Sequence, residues 1–128
     1  MCARVLIVDD EQRLANSLGQ TLQLDFPDCL VDTASSSEEA LSSLVSNTYD
    51  LIIADFCMPG VSGLDLIKDL RYLNADVPII LMTGYGSASL RREAGTLGVD
   101  HFVDKPFDLE HLLSTVSHLL PGGEVRDA

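Results

Sequence analysis

The chain has 128 residues, 46% of them hydrophobic and 22% charged, which suits a single domain with a buried core and argues against disorder. Its formal net charge of −12 argues against direct contact with nucleic acid or an anionic membrane, and no stretch reaches the roughly 20 apolar residues of a membrane span. Three scattered cysteines without a CxxC pair, and no signal peptide after Met1, predict a soluble cytoplasmic protein.

The first predicted element is a buried strand that ends in a run of acids. Val5–Val8 consists of four apolar residues, three of them β-branched, as expected of a strand buried on both faces of a parallel sheet. Asp9, Asp10 and Glu11 follow without a gap. Because like charges repel at such close spacing, a hard cation such as Mg²⁺ or Ca²⁺, which binds carboxylate oxygens, would stabilise the cluster. These acids are the first candidate for a functional site.

Helices and strands alternate through the next part of the chain. Leucines at four-residue spacing predict a helix that ends before Pro27, and residues 29–34 predict a short strand. Serines at 35–37, followed by two acids, mark the start of a second helix. Leu51–Ala54 is a second fully apolar strand, and it ends at Asp55. The alternation predicts two complete strand–helix units followed by a third strand.

The same alternation continues to the end of the chain. A turn leads into a third helix that begins at Gly63, and Val77–Met82 predicts a fourth strand that stops at Thr83. A short helix capped by Gly98 leads into a fifth strand, Val99–Val103, and a fifth helix then runs to residue 120. Five strand–helix units predict an α/β fold with a parallel sheet covered by helices on both faces. Residues 1–120 form the predicted domain, and 121–128 a polar tail or the start of a linker.

Polar side chains stand at the carboxyl ends of four of the five predicted strands. They are Asp9 and Asp10 after the first strand, Asp55 after the third, Thr83 after the fourth and Lys105 after the fifth. Ligands bind at this edge of open parallel sheets. One polar residue there could serve solvation alone, whereas four strands that end in this chemistry favour a shared site.

The motifs at these strand ends resemble those of the receiver domain of two-component response regulators. The resemblance covers residues 3–120 and depends on Val-Asp-Asp-Glu at 8–11, Asp55 followed by Met-Pro-Gly at 58–60, Thr-Gly at 83–84 and Lys-Pro-Phe at 105–107. It implies a flavodoxin-like (βα)5 fold of three layers with strand order 2-1-3-4-5.

The resemblance also implies a phosphorylation site and its metal. Asp55 would be the phosphoacceptor, and Mg²⁺ would be held by Asp9, Asp10, Asp55 and the backbone carbonyl of Cys57, with Mn²⁺ or Ca²⁺ able to substitute. A carboxylate attacks phosphorus when the repulsion of the incoming dianion is cancelled, which suits this group of residues. The chain would then be a switch rather than an enzyme, with slow self-dephosphorylation as its only catalysis.

Further positions acquire roles from the same resemblance. Thr83 would hydrogen-bond the phosphoryl group, Lys105 would pair with its charge, and Phe102 stands where the family keeps a switching aromatic, although an aromatic in a strand is ordinarily a core residue. Lys105–Pro106 is a candidate cis peptide, whereas the sequence alone favours trans.

The resemblance also implies that two positions tune the lifetime of the phosphorylated form. Cys57 and Tyr85 each lie two residues after a site residue. A thiol orients water less readily than an amide or an acid, and a tyrosine could shield the site, so we expect slow hydrolysis of the phosphoaspartate.

The implied partners are a sensor histidine kinase or phosphotransfer protein as donor, and an output domain, expected to be transcriptional, or a partner protein as target. Homodimers through the face of the fourth helix, fifth strand and fifth helix are also possible, and no direct nucleic acid or membrane contact is expected.

Three other functions compete with this one. A dehalogenase-type phosphatase would need an acid where Cys57 stands, a flavodoxin would need a phosphate loop in place of the acids, and a docking-only receiver would not need the full set of site residues.

Overall fold

The computed structural model describes residues 3–55, 63–73, 77–83, 88–99, 101–104 and 108–120. Five strands and five helices alternate along the chain: β1 Arg4–Val8, α1 Gln12–Asp25, β2 Leu30–Ala34, α2 Ser37–Ser46, β3 Leu51–Asp55, α3 Gly63–Leu73, β4 Ile79–Thr83, α4 Ala88–Thr96, β5 His101–Asp104 and α5 Leu109–Leu119. The strands form one parallel sheet in the order β2-β1-β3-β4-β5. The predicted α/β class and strand order are therefore confirmed.

Two hydrophobic clusters cover the two faces of the sheet. Side chains alternate between faces along each strand, so that Leu6 and Ile52 pack on the face of α2, α3 and α4, while Ile7 and Ile53 pack on the face of α1 and α5. All described residues of β3 and β4 are buried. Their continuous apolar sequences are explained by this double burial, which leaves polar residues only at the strand ends.

The predicted boundaries of β5 were wrong at both ends, because the strand begins at His101 rather than at Val99 and ends at Asp104. Val99 instead belongs to the end of α4, where its N–H donates to the carbonyl of Ala94 at 3.2 Å. Gly98 adopts a φ of +83° and its N–H donates to the carbonyl of Gly95, so this helix ends in a Schellman motif. The capping role predicted for Gly98 is confirmed, and the cap extends the helical turn at the expense of the strand.

β2 and β4 each also differ slightly from their predicted ranges. β2 begins at Leu30, one residue late, and β4 covers Ile79–Thr83 rather than Val77–Met82. Asp55 and Thr83 are consequently the last residues of their strands and share the backbone pairing of the sheet. Their side chains are therefore held by regular structure and not by a loop.

An ion pair between Arg4 of β1 and Asp32 of β2, together with Tyr49 just before β3, connects the first three strands. Asp32 Oδ2 accepts hydrogen bonds from Arg4 Nε at 2.9 Å and from the Tyr49 hydroxyl at 2.6 Å. The Arg4 guanidinium also lies over the Tyr49 ring, 5.5 Å from its centroid. The N–H of Arg4 donates to Asp50 Oδ2 at 2.9 Å. We call Arg4, Asp32, Tyr49 and Asp50 the Arg4 cluster.

No helix within the described part of the chain is long and apolar enough to cross a membrane. The predicted polar tail, 121–128, lies outside the described residues.

Candidate functional site

Two buried aspartates extend neighbouring strands at the carboxyl edge of the sheet. Val8 of β1 and Ala54 of β3 are register partners, and Asp9 and Asp55 are the next residues on each strand. The N–H of Asp9 donates to the carbonyl of Ala34 at 3.0 Å, which continues the pairing between β1 and β2 by one residue. Asp9 is 1% exposed and Asp55 is 3% exposed. The fold therefore brings two buried carboxylates to the same edge of the sheet.

A third carboxylate completes what we call the acidic cluster. Asp9, Asp10 and Asp55 each offer one oxygen, and these three atoms lie within 4.8 Å of one another. Asp10 is exposed, so the cluster opens to solvent on its side. The sequence prediction that these three acids converge is confirmed.

Backbone and side-chain hydrogen bonds fix the loop that carries Asp9. Asp9 Oδ1 accepts from the N–H of Glu11 at 2.9 Å. The side-chain amide of Gln12 donates to the carbonyl oxygen of Asp9 at 2.7 Å. Gln12 was not predicted to take part. Its position in the first turn of α1, directly after the acids, is the only signal for it in the sequence.

The donor set of the acidic cluster fits a divalent cation. Two oxygens on opposite sides of an octahedral Mg²⁺ are about 4.2 Å apart, twice the metal–oxygen distance, and Ca²⁺ allows slightly more. The observed span of up to 4.8 Å is therefore close to that of ligands of one ion. Three carboxylates also supply the hard oxygen ligands and the negative charge that such an ion requires.

Thr83 ends the strand next to the one that carries Asp55. Asp55 is the register partner of Met82, so Thr83 extends one residue further along the same edge. Thr83 is fully buried. A buried hydroxyl at this position, one strand away from Asp55, is consistent with the predicted contact to a phosphoryl group.

Phe102 is the second residue of β5 and pairs with Leu81 of β4. It is partly buried and packs against the cluster on the face of α2, α3 and α4. The guanidinium of Arg91, on α4, lies 5.1 Å from the centroid of the Phe102 ring. The sequence did not reveal this contact, because a spacing of eleven residues between a helix and a strand has no periodic signature.

Four other predicted positions, Cys57, Tyr85, Lys105 and Pro106, lie outside the described residues. Their proposed roles in metal binding, tuning and phosphoryl binding, and the isomer of the Lys105–Pro106 bond, remain predictions from the sequence.

Sequence comparison identifies the family. The model of the response regulator receiver domain matches residues 5–117. Response regulator MprA of Mycobacterium bovis is 34% identical over 128 residues, which cover 100% of this chain and 55% of the relative. Response regulator ArlR of Staphylococcus saprophyticus is 34% identical over 117 residues, 91% of this chain and 52% of the relative. The chain thus spans about half the length of the curated relatives it matches.

Solved structures of receiver domains share the fold. A CheY-like receiver domain protein from Methanospirillum hungatei has a TM-score of 0.88 at 27% identity, over 97% of this chain and 98% of that one. Chemotaxis protein CheY4 of Vibrio cholerae has a TM-score of 0.84 at 31% identity, over 94% and 100%. TrrA of Thermotoga maritima, solved in complex with Mg²⁺ and BeF, has a TM-score of 0.78 at 37% identity, over 92% and 99%.

The sheet order, the acidic cluster at its carboxyl edge and the match over residues 5–117 agree with one another. The chain belongs to the receiver domains of two-component response regulators.

Proposed function

We propose that Asp55 is the residue of this receiver domain that accepts the phosphoryl group. The observation that carries the proposal is the convergence of Asp9, Asp10 and Asp55, with Asp55 held at the end of a fully buried strand. A carboxylate in regular structure is positioned in advance, so little entropy is lost when it attacks phosphorus.

The proposed reaction takes a phosphoryl group from a phosphohistidine. An Asp55 carboxylate oxygen forms the new phosphorus–oxygen bond as the phosphorus–nitrogen bond breaks, and the histidine nitrogen leaves with the electron pair and takes up a proton. The donor would be a sensor histidine kinase or a phosphotransfer protein. The chain would therefore be a substrate of phosphotransfer, not an enzyme that acts on other molecules, apart from slow self-dephosphorylation.

Asp9, Asp10 and Asp55 would hold a divalent ion, which we propose is Mg²⁺. TrrA was solved with Mg²⁺ and BeF, which supports this choice of ion. When bound, the ion would neutralise charge on the incoming phosphoryl group and hold it in line with the Asp55 oxygen. The backbone carbonyl of Cys57 is the predicted additional ligand.

Thr83 and Lys105 would recognise the phosphoryl group after transfer. Phosphorylation adds about −1.5 to −2 charges and three strong acceptor oxygens. The Thr83 hydroxyl would donate to one of these oxygens, and the Lys105 ammonium would pair with the charge. Because Thr83 is fully buried in the unmodified chain, any movement toward the phosphoryl group must be accommodated by its packed neighbours.

The proposed output of the switch lies outside residues 1–120, which we take as the domain. Curated relatives are about twice as long as this chain, which supports an output domain, and we propose that it regulates transcription. Phe102 would report the switch to a target or to a second copy through the face of α4, β5 and α5. We further propose that Cys57 and Tyr85 give a long-lived phosphoaspartate.

Phosphoryl incorporation from a small acyl phosphate tests the proposal. The wild type should acquire one hydroxylamine-labile adduct, detected by intact-mass spectrometry, that requires a divalent ion and is blocked by a chelator. Asp55→Asn should abolish the adduct. Asp50→Asn is the matched control, because Asp50 precedes the same strand at its opposite end, and it should keep the adduct. Incorporation that survives Asp55→Asn would remove Asp55 from its role.

A further inference from the structure

Few of the described side chains of α4 are buried. Among its described side chains, 91–96, only Ala94 is buried. A Cβ added at Gly95 would meet no heavy atom within 4 Å, so that side of the helix is open. Glycine and threonine near the helix end also have weak helix propensity. Polar contacts therefore add to the packing of Ala94 against the core in holding α4.

One arginine fixes the end of α4 that is remote from the acidic cluster. Arg71, in the last turn of α3, donates from Nε to the carbonyl of Leu97 at 2.8 Å. Its two Nη atoms donate to the carbonyls of Gly98 and Val77. The guanidinium thus joins the end of α3, the end of α4 and the segment that leads into β4. These contacts anchor α4 at one end.

A second arginine contacts the sheet from within α4. The Arg91 guanidinium lies 5.1 Å from the centroid of the Phe102 ring, which is within cation–π range. Arg91 and Phe102 are both partly buried, so water weakens this attraction less than at a fully exposed site. The contact joins α4 to the edge strand β5.

The register of the sheet relates Phe102 to Thr83. Phe102 pairs with Leu81 and Asp104 pairs with Thr83. Leu81 and Thr83 lie two residues apart on β4 and therefore share a face of the sheet, the face on which Leu81 and Phe102 pack. Phe102 is thus a diagonal neighbour of Thr83 across two adjacent strands. Phe102 is therefore the residue that both contacts Arg91 and neighbours Thr83 in the sheet.

We infer that Arg91 is a positioning residue that holds Phe102 and α4 in the arrangement of the unmodified chain. It thereby raises the phosphodonor concentration at which half of the chains become phosphorylated. The inference rests on the proposed function of Asp55. The contact stabilises the unmodified arrangement, so its loss increases the fraction of molecules in any arrangement in which Phe102 has moved away. A phosphodonor that favours that arrangement then acts at lower concentration.

The variants separate this role from a merely structural one. Arg91→Met removes the charge but keeps side-chain length and helix propensity. Arg91→Lys keeps a cation, with poorer stacking than a planar guanidinium. Arg92→Met is the matched control, because Arg92 is the next residue of the helix and is exposed. Asp55→Asn reports any signal that does not come from phosphorylation.

The first measurement is the concentration of a small acyl phosphate that gives half-maximal incorporation in the presence of Mg²⁺. Arg91→Met should lower it about two- to fivefold, the factor expected for loss of one partly exposed cation–π contact. Arg91→Lys should lower it less, and Arg92→Met should leave it unchanged. An unchanged or raised value for Arg91→Met, or an equal drop for Arg92→Met, would overturn the inference.

The second measurement follows the Phe102 ring directly by aromatic NMR, with Phe102→Leu used to assign its signals. Mg²⁺ with beryllofluoride should move these signals in the wild type. In Arg91→Met without either addition, they should already lie part of the way toward the shifted position, and signals that stay at the wild-type position would contradict the inference. If the wild type itself neither incorporates phosphoryl nor responds to beryllofluoride, the proposed role of Asp55 fails first, which is a distinguishable result.

Discussion

The acidic cluster and the Arg4 cluster both place aspartates beside buried strands, but the two groups are built differently. In the Arg4 cluster, one oxygen of Asp32 receives hydrogen bonds from a guanidinium and a tyrosine hydroxyl. In the acidic cluster, three carboxylate oxygens lie within 4.8 Å of one another. The first arrangement pairs one carboxylate with two hydrogen-bond donors, whereas the second brings three carboxylates together. The same residue type thus accepts hydrogen bonds within the fold near one edge and offers three oxygens that could hold a metal ion at the other.

The largest expected effect concerns the response of the acidic cluster to divalent ions. At a Mg²⁺ concentration 100-fold above its dissociation constant, the wild type should gain about 2.7 kcal/mol of unfolding free energy, because the ion binds the folded state. Asp9→Asn should lose most of this gain, since the amide removes a charge while its oxygen can still accept from the N–H of Glu11. Denaturant unfolding with and without Mg²⁺ measures both values.

Asp32→Asn is the control that sharpens the comparison between the two clusters. It also replaces an aspartate by its amide, but in the Arg4 cluster, and its Mg²⁺ response should equal that of the wild type. An equal loss of the response in both variants would mean that the ion does not bind at the acidic cluster.

The sequence predicted the sheet and the acidic cluster because both follow from local patterns. Continuous apolar runs mark strands buried on both faces, and the residue after each run must lie at the carboxyl edge. Asp9, Asp55 and Thr83 could therefore be assigned to one edge without knowledge of any distance. The convergence of Asp9 and Asp55 is a consequence of strand order and register, which the alternation of strands and helices limits to very few possibilities.

The contacts that the sequence did not predict join residues far apart in the chain. The N–H of Arg4 donates to the side chain of Asp50, 46 residues away. The stacking of Arg91 on Phe102 depends on side-chain rotamers, which no periodicity encodes. The start of β5 was misplaced for a local reason, because the N–H of Val99 completes the cap of α4. Apolar β-branched residues favour a strand there, and the helix cap overrides that preference.

The second prediction concerns a variant that disrupts the Arg4 cluster. Asp32→Ala should lower the unfolding free energy by about 2 kcal/mol, because it removes the acceptor of the Tyr49 hydroxyl, and Tyr49 is only 3% exposed. The ion pair itself should contribute less, since the Arg4 and Asp32 side chains are 33% and 35% exposed and water screens them. Urea unfolding measures the loss.

A double variant identifies the source of that loss. Adding Tyr49→Phe to Asp32→Ala removes the hydroxyl that has lost its Asp32 acceptor and should recover part of the stability. If the loss of unfolding free energy in the double variant equals the sum of the losses in the two single variants, the cost of Asp32→Ala does not come from the Tyr49 hydroxyl.

The third prediction concerns the start of α2, which lies apart from both clusters. The Ser36 side chain accepts from the N–H of Glu39 at 3.1 Å, and Glu39 Oε1 accepts from the N–H of Ser35 at 2.7 Å. Ser36→Ala should therefore cost about 1 kcal/mol of unfolding free energy. Ser42→Ala, an exposed position within the same helix, should cost nothing, because alanine is the better helix former. Equal effects at both positions would argue against a cap at Ser36.

The smallest effect is a pH dependence that arises in the Arg4 cluster. Burial, and then the hydrogen bond to Asp32, raise the pKa of Tyr49 above its ordinary value of 10.0. The folded chain therefore holds this proton more tightly than the unfolded chain does. The resulting stability is fully present below about pH 10 and is lost as pH rises toward the higher pKa of the folded state.

Tyr49→Phe should lose less stability than the wild type between about pH 9 and pH 11. Tyr72→Phe, at a site 89% exposed, should follow the wild type, and urea midpoints along the pH series measure all three. A Tyr49→Phe curve parallel to that of the wild type would show that neither burial nor the Asp32 oxygen makes the folded chain hold the tyrosine proton more tightly.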